Sequence, residues 1–281
     1  MIPRIGFSLQ KQYDRPHTQI IPLLRENGFS AVSPVWSEEL DMHSLASCAR
    51  CNSIGIQSLH APHKGIDLLW NPELEESKEI LGNIVRSIDD CARFEIPVLV
   101  MHGWKGLFYA FPETPLDFEA FDQIVRRAEE RGISVAFENL EGEEYLAALM
   151  ERYQNCKNIG YCWDSGHDNC YPHKTDFLAS YGERLIMTHI NDNLGLRDKG
   201  GVPTGDDDLH FIPGDGIIDW DGAMARLALA PKQEILNFEL KTASHSKTLE
   251  DLIYAELPIE KFIAKAADRA RVIAEKYAAA I

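Results

Sequence analysis

Short apolar runs alternate with longer amphipathic stretches from one end of the chain to the other. Runs of Val, Ile, Leu and Phe bounded by turn residues read as buried strands, and stretches whose apolar positions recur every three to four residues read as helices laid over them. The strands are expected at 2–8, 31–35, 56–60, 98–102, 133–138, 159–164, 185–191 and 235–239, and the helices at 18–27, 37–53, 72–94, 116–131, 144–153, 220–229 and 259–280. Many of these helices close on Gly, Asn or Pro, as helix stops do. The longest stretch without either period, 192–216, is rich in Gly and Asp. A loop of that length inside a domain is usually functional.

Eight strand–helix units in succession fit a closed (β/α)8 TIM barrel better than an open doubly wound sheet, whose strand order must reverse. The 281 residues suit a single barrel domain spanning 1–281, since such barrels commonly take about 250 residues. The chain contains neither G-x-G-x-x-G nor a P-loop, which removes the usual nucleotide fingerprints.

Composition narrows the partners. With 28 basic and 44 acidic residues the formal charge is −16, a field that repels polyanions and makes nucleic acid an unlikely partner. No apolar run is long enough for a membrane span and the N-terminus does not read as a secretory signal, so a cytoplasmic location is expected. Six cysteines lie mostly within expected helices or strands and read as reduced thiols. Cys48 and Cys51 form a C-x-x-C inside an expected helix, with no second pair to complete a zinc site.

Six of the apolar strands end in a metal-binding side chain: SLH in His60, VLVMH in His102, SVAFE in Glu138, GYCWD in Asp164, IMTH in His189 and LNFE in Glu239. In a parallel barrel all strands open on one face, so these side chains converge although the sequence scatters them. A lone His or Glu at a strand end is ordinarily a hydrogen-bonded loop residue. Six at once are not, because a charged group following a run of Val, Ile and Phe needs a partner or a metal to offset its burial. Mixed imidazole and carboxylate donors suit manganese, zinc or cobalt, with magnesium less suited. His167 in WDSGH, Asp192 in HIND, and Asp208 with His210 in DLHFIPGDG adjoin the set, whereas acidic residues such as those of 206–208 more commonly mark an exposed turn.

The segments LHAPH, MHGW, FENLE, DSGH, HIND, DLHFIPGDGIIDW and NFELK, in this order, resemble the xylose isomerase-like barrel superfamily of sugar isomerases and epimerases and endonuclease IV. Resemblance to its keto-sugar 3-epimerases implies one metal held by Glu138, Asp164, His189 and Glu239, with Glu138 and Glu239 as proton carriers and His167 and Glu144 in contact with substrate. His60, His102 and His210 are then further candidates for substrate oxygens. Resemblance to endonuclease IV instead implies three zinc ions and a phosphodiesterase acting on abasic DNA, drawing on His60, His102, His167, Asp208 and His210 as additional ligands.

The expected chemistry is therefore proton abstraction next to a carbonyl through a metal-stabilised enediolate, on a small keto-sugar or related substrate. An idle second base would leave isomerisation in place of epimerisation, and a second acid would allow dehydration of a keto-sugar or keto-inositol. The loops after His60 and His102 carry Trp70, Trp104, Phe108, Tyr109 and Phe111, and Trp36 follows the second strand. Some of these are expected to wall the site and others to pack beneath the loops. The region of the last two strands lacks the Gly- or Ser-rich basic loop that usually meets a phosphate, which favours an unphosphorylated substrate, with Lys241 in FELK as the exception. Resemblance also implies a homo-oligomer.

Overall fold

Every strand pair in the computed structural model, which describes residues 1–10, 13, 15–112, 115–198, 200–243 and 253–281, is parallel. The chain runs β1 (Arg4–Leu9), α1 (His17–Glu26), β2 (Ala31–Pro34), α2 (Met42–Cys51), β3 (Gly55–Ile56), β4 (Ser58–His60) and α3 (Glu75–Arg93). It continues through β5 (Val98–His102), α4 (Glu119–Arg131), β6 (Ser134–Glu138), α5 (Glu143–Arg152), β7 (Ile159–Asp164), α6 (Ser165–Cys170) and α7 (Phe177–Tyr181). The last elements are β8 (Leu185–His189), α8 (Trp220–Leu227), β9 (Ile235–Phe238) and α9 (Ile259–Ala280). The strands form two hydrogen-bonded runs, β3-β2-β1-β9 and β4-β5-β6-β7-β8. Single bridges from Val35 to His60 and from Ile190 to Phe238 close them into one ring. β3 and β4 are two halves of the third barrel strand, kept in line by Gln57, whose N–H donates to the Val32 carbonyl at 2.9 Å.

Two expectations shift in detail. The second helix begins at Met42, five residues later than expected, because Asp41 caps it by accepting the Ser44 N–H at 3.0 Å. The short helices α6 and α7 carry too few residues to show a period and escape a reading based on periodicity.

Strand alternation explains how the barrel makes a floor and a site in successive layers. Val100, Ala136, Cys162 and Met187 form a small apolar cluster of their own, apart from the main core between sheet and helices. Two residues further along the same strands, hence on the same face, come His102, Glu138, Asp164 and His189. Register fixes the neighbours: His102 stands beside Glu138, and Asp164 beside His189. The other half of the ring is polar at depth, with Ser58 donating to Ser33 at 3.0 Å and Asn237 to Ser8 at 2.8 Å.

Candidate metal centre

Glu138 is fully buried at the centre of the mouth and is met by imidazoles on both carboxylate oxygens. Its Oε1 lies 2.8 Å from His189 Nδ1 and 3.6 Å from His167 Nδ1, and its Oε2 lies 3.2 Å from His60 Nε2 and 3.1 Å from His102 Nε2. His189 Nδ1 also sits 2.8 Å from Glu239 Oε2. Asp164 completes the group: one ligand atom from each of Glu138, Asp164, His189 and Glu239 lies within 4.8 Å of the others, and all four residues are buried.

Beside this group stands a second, His167, Asp208 and His210, and a third draws on His60, Glu138 and His189. These groups hold eight of the nine expected ligand positions, and His102 adjoins them through Glu138. Asp208 Oδ2 lies 2.7 Å from His210 Nε2 and 3.5 Å from His167 Nε2, and 3.6 Å from the Lys241 ammonium. The 206–208 run is not an exposed turn, because Asp207 is buried on Arg197 and on the Thr204 N–H.

The hydrogen bonds behind these side chains aim them inward. The Nδ1 of His60, His167 and His210 lies 2.7, 2.8 and 3.0 Å from the carbonyls of Ala61, Asn139 and Glu239. With Nδ1–H donated to a carbonyl, each neutral ring presents the Nε2 lone pair to the cavity, the arrangement of a metal-ligating histidine. Yet these lone pairs face carboxylate oxygens, and two acceptors do not attract unless a proton or cation lies between them. Asp164 doubles as the cap of α6, accepting the His167 N–H at 2.8 Å, so helix and ligand share one carboxylate.

The electrostatics lead to the same requirement. Burial pushes the Asp164 carboxyl up to about 6, a rise to which Glu138 and Glu239 add and which His167 and His210 oppose. Burial alone would lower the histidines, but Cys162, Glu138 and Glu239 raise His189, and Asp164 and Asp208 raise His167, well above the ordinary imidazole value. The protein alone offsets its carboxylates by drawing protons onto rings, and a divalent cation does so with the rings neutral. Asp208 Oδ1 and His102 Nδ1 are buried without a hydrogen-bond partner among the described residues. The donor set fits a divalent metal.

Some functional side chains escape a search for ligand residue types. Gln10 follows β1 as the ligands follow their strands, and its amide donates to Glu239 Oε1 at 2.7 Å. Asn191 lies 3.1 and 2.9 Å from the two oxygens of Asp164. Both were visible only as polar residues following apolar strands.

The centre opens into a cavity of about 750 Å³ whose lining includes Trp36, His63, Lys105, Glu141, Tyr171 and Lys241. Seven of the residues expected beside the ligands lie outside that lining. Glu144, in the first turn of α5, is exposed outside that lining and accepts from the Tyr109 hydroxyl. Asp192 is fully buried and organises its loop, accepting from the N–H groups of Gly214 and Ile218 and from the Trp220 indole. Trp70 is buried and donates to the Gly103 carbonyl, and Trp104 stacks on Tyr145 at 4.1 Å, so of the aromatic residues expected at the mouth only Trp36 lines the cavity. Phe108 is 82% exposed. Cys48 and Cys51 are free thiols and belong to no metal-binding group among the described residues.

The sequence profile of the xylose isomerase-like TIM barrels matches residues 21–261. The chain is 34% identical over 164 residues to the uncharacterised protein y4fM of Sinorhizobium fredii, covering 54% of this chain and 49% of that protein. The match therefore spans about half the length of that relative. Among solved structures, IolI with a bound zinc atom superposes with a TM-score of 0.74 at 17% identity, covering 98% of this chain and 99% of that one. D-psicose 3-epimerase with D-tagatose, from Clostridium cellulolyticum, gives 0.69 at 14% identity over 96% and 99%. The 3-keto-D-glucoside 4-epimerase YcjR of E. coli gives 0.66 at 15% over 95% and 98%. At these identities the likeness establishes the fold.

Proposed function

The chain belongs to the xylose isomerase-like TIM-barrel family, and from that premise we propose a divalent-metal-dependent isomerase or epimerase acting on a small keto-sugar. The observation that carries the reading is the buried group of Glu138, Asp164, His189 and Glu239, with ligand atoms within 4.8 Å of one another beneath a sugar-sized cavity. The structural neighbours include a zinc-bound protein and epimerases described with keto-sugars, which supports the same class.

Those four residues would hold manganese, zinc or cobalt, whose mixed oxygen and nitrogen preference they match. The bound ion supplies an electrophile that draws charge from a substrate carbonyl oxygen and so acidifies the neighbouring C–H. The protein's part is to place a carboxylate against that proton. Glu239 is the better placed of the two glutamates, since Gln10 orients its Oε1 while Glu138 is enclosed by four imidazoles. Burial would raise the Glu239 carboxyl, but His189 outweighs it and holds the group well below the ordinary range, which keeps it ionised. Returning that proton to the former carbonyl carbon on the same face, as the hydroxyl proton passes to the other oxygen, gives isomerisation, and delivery to the original carbon from Glu138 on the other face gives epimerisation.

Elemental analysis together with proton exchange tests the reading. About one metal per chain, and deuterium incorporated next to the carbonyl of a keto-sugar in deuterium oxide, are the expected results. Failure to retain metal after reconstitution would overturn it. A second reading, a trinuclear zinc phosphodiesterase on abasic DNA, draws support from the His167–Asp208–His210 and His60–Glu138–His189 groups. The charge of −16 counts against it, and three zincs per chain with cleavage of abasic DNA would establish it.

A further inference from the structure

Lys241 sits two residues beyond Glu239 and lines the same cavity. Its side chain is only 13% exposed, yet its ammonium makes no hydrogen bond among the described residues and its nearest charge, Asp208 Oδ2, lies 3.6 Å away. Asp208 is meanwhile held by His210 at 2.7 Å, so its charge is already shared. Lys105, three residues beyond His102, lines the rim of the same cavity from an exposed position, with Glu141 within electrostatic reach. The two ammonium groups lie within electrostatic reach of each other and of His63 between the same walls.

Two lysines repel each other in a shared cavity, and the Lys241 ammonium, with three N–H groups largely kept from bulk water, is costly to leave without acceptors. We propose that the cavity takes a keto-sugar carrying an anionic group, a carboxylate or a phosphate, which Lys241 and Lys105 bind at the end remote from the carbonyl. This deepens the keto-sugar reading and rests on it, replacing the expectation of an unphosphorylated, neutral substrate with one whose terminal charge is read by the protein.

Calorimetric titration of the metal-loaded protein with D-fructose, D-fructuronate and D-fructose 6-phosphate, which share a skeleton and differ at one end, tests the proposal. At least one anion should bind about tenfold more tightly than D-fructose, and the tighter of the two identifies carboxylate or phosphate as the source. That ratio should collapse in Lys241→Met and in the rim variant Lys105→Met, and Lys241→Arg should keep much of it. Equal affinity for all three ligands, no binding of either anion at millimolar concentration, or parallel loss of all three in both variants would leave the lysines as counter-charges to Asp208 and Glu141 and overturn the proposal. Discrimination by charge with no solvent deuterium in any ligand would instead keep the cationic pair and remove the isomerase chemistry.

Discussion

The Asn191 side-chain amide spans both oxygens of Asp164, with Nδ2 at 3.1 Å from Oδ1 and 2.9 Å from Oδ2. Asp164 has its remaining bond from the His167 N–H, so two neighbours fix the rotation of a fully buried carboxylate. Asn191 is itself wedged against Gly166: a Cβ there would stand 1.8 Å from Asn191 Oδ1. Asn191→Leu and Gly166→Ala are both expected to weaken metal binding by roughly 10- to 100-fold, the usual cost of losing a residue that orients a ligand. Competition against a chromophoric chelator measures this, and wild-type affinity in both variants would show that Asp164 needs no such alignment.

Glu239→Ala should abolish turnover, and Gln10→Leu should lower kcat more than it raises KM. The Gln10 amide donates to Glu239 Oε1 at 2.7 Å and is itself buried, so its removal strands a carboxylate oxygen and frees the side chain to rotate. A loss on the order of tenfold in kcat is expected for Gln10→Leu. Full activity in Glu239→Ala would remove it from the site.

The parts of the centre that could be read in the sequence are those in which chemistry sits directly on a strand end. His102, Glu138, Asp164 and His189 close their strands, and an apolar run followed by one ligand-type side chain advertises itself. Glu144 marks the limit of spacing, which says nothing of which way the first turn of α5 faces: its carboxylate goes to Tyr109, outside the cavity lining. Gln10 and Asn191 went unread because an amide is not a ligand type, though they occupy the same kind of position as the ligands. The aromatic residues were seen but not sorted, since packing Trp104 on Tyr145 depends on α5, which is far from Trp104 in sequence. Division of the third strand into β3 and β4 also follows from neighbours and not from its own pattern.

Metal should stabilise the fold as well as activate it, because the ligands come from four strands and converge only in the folded barrel. At a free metal concentration a hundredfold above Kd the gain is roughly 2.7 kcal/mol. Chelated protein is expected to melt several degrees below the reconstituted form, with the difference shrinking in Glu138→Gln. Identical melting curves with and without manganese, zinc or cobalt would contradict a metal bridging these strands.

His173 supplies a pH-dependent contribution away from the centre. Its Nδ1 lies 2.7 Å from the Thr175 carbonyl and its Nε2 lies 2.8 Å from the Asp168 carbonyl and 3.1 Å from the Asp168 carboxylate. Both nitrogens therefore face acceptors, and only the imidazolium can donate to both. The hydrogen bond with Asp168, opposed by burial, raises the ring to about 9. Since the unfolded value is about 6.5, the charged ring's stabilisation is fully present below that pH and is lost as the pH rises through about 9. The side chain remains partly exposed, so solvent screening holds the effect to the order of 1 kcal/mol. Melting temperatures of wild type and His173→Leu should differ most in mildly acidic buffer and converge in strongly alkaline buffer. A difference that stays constant across that range would mean that the ring contributes by packing, without its charge.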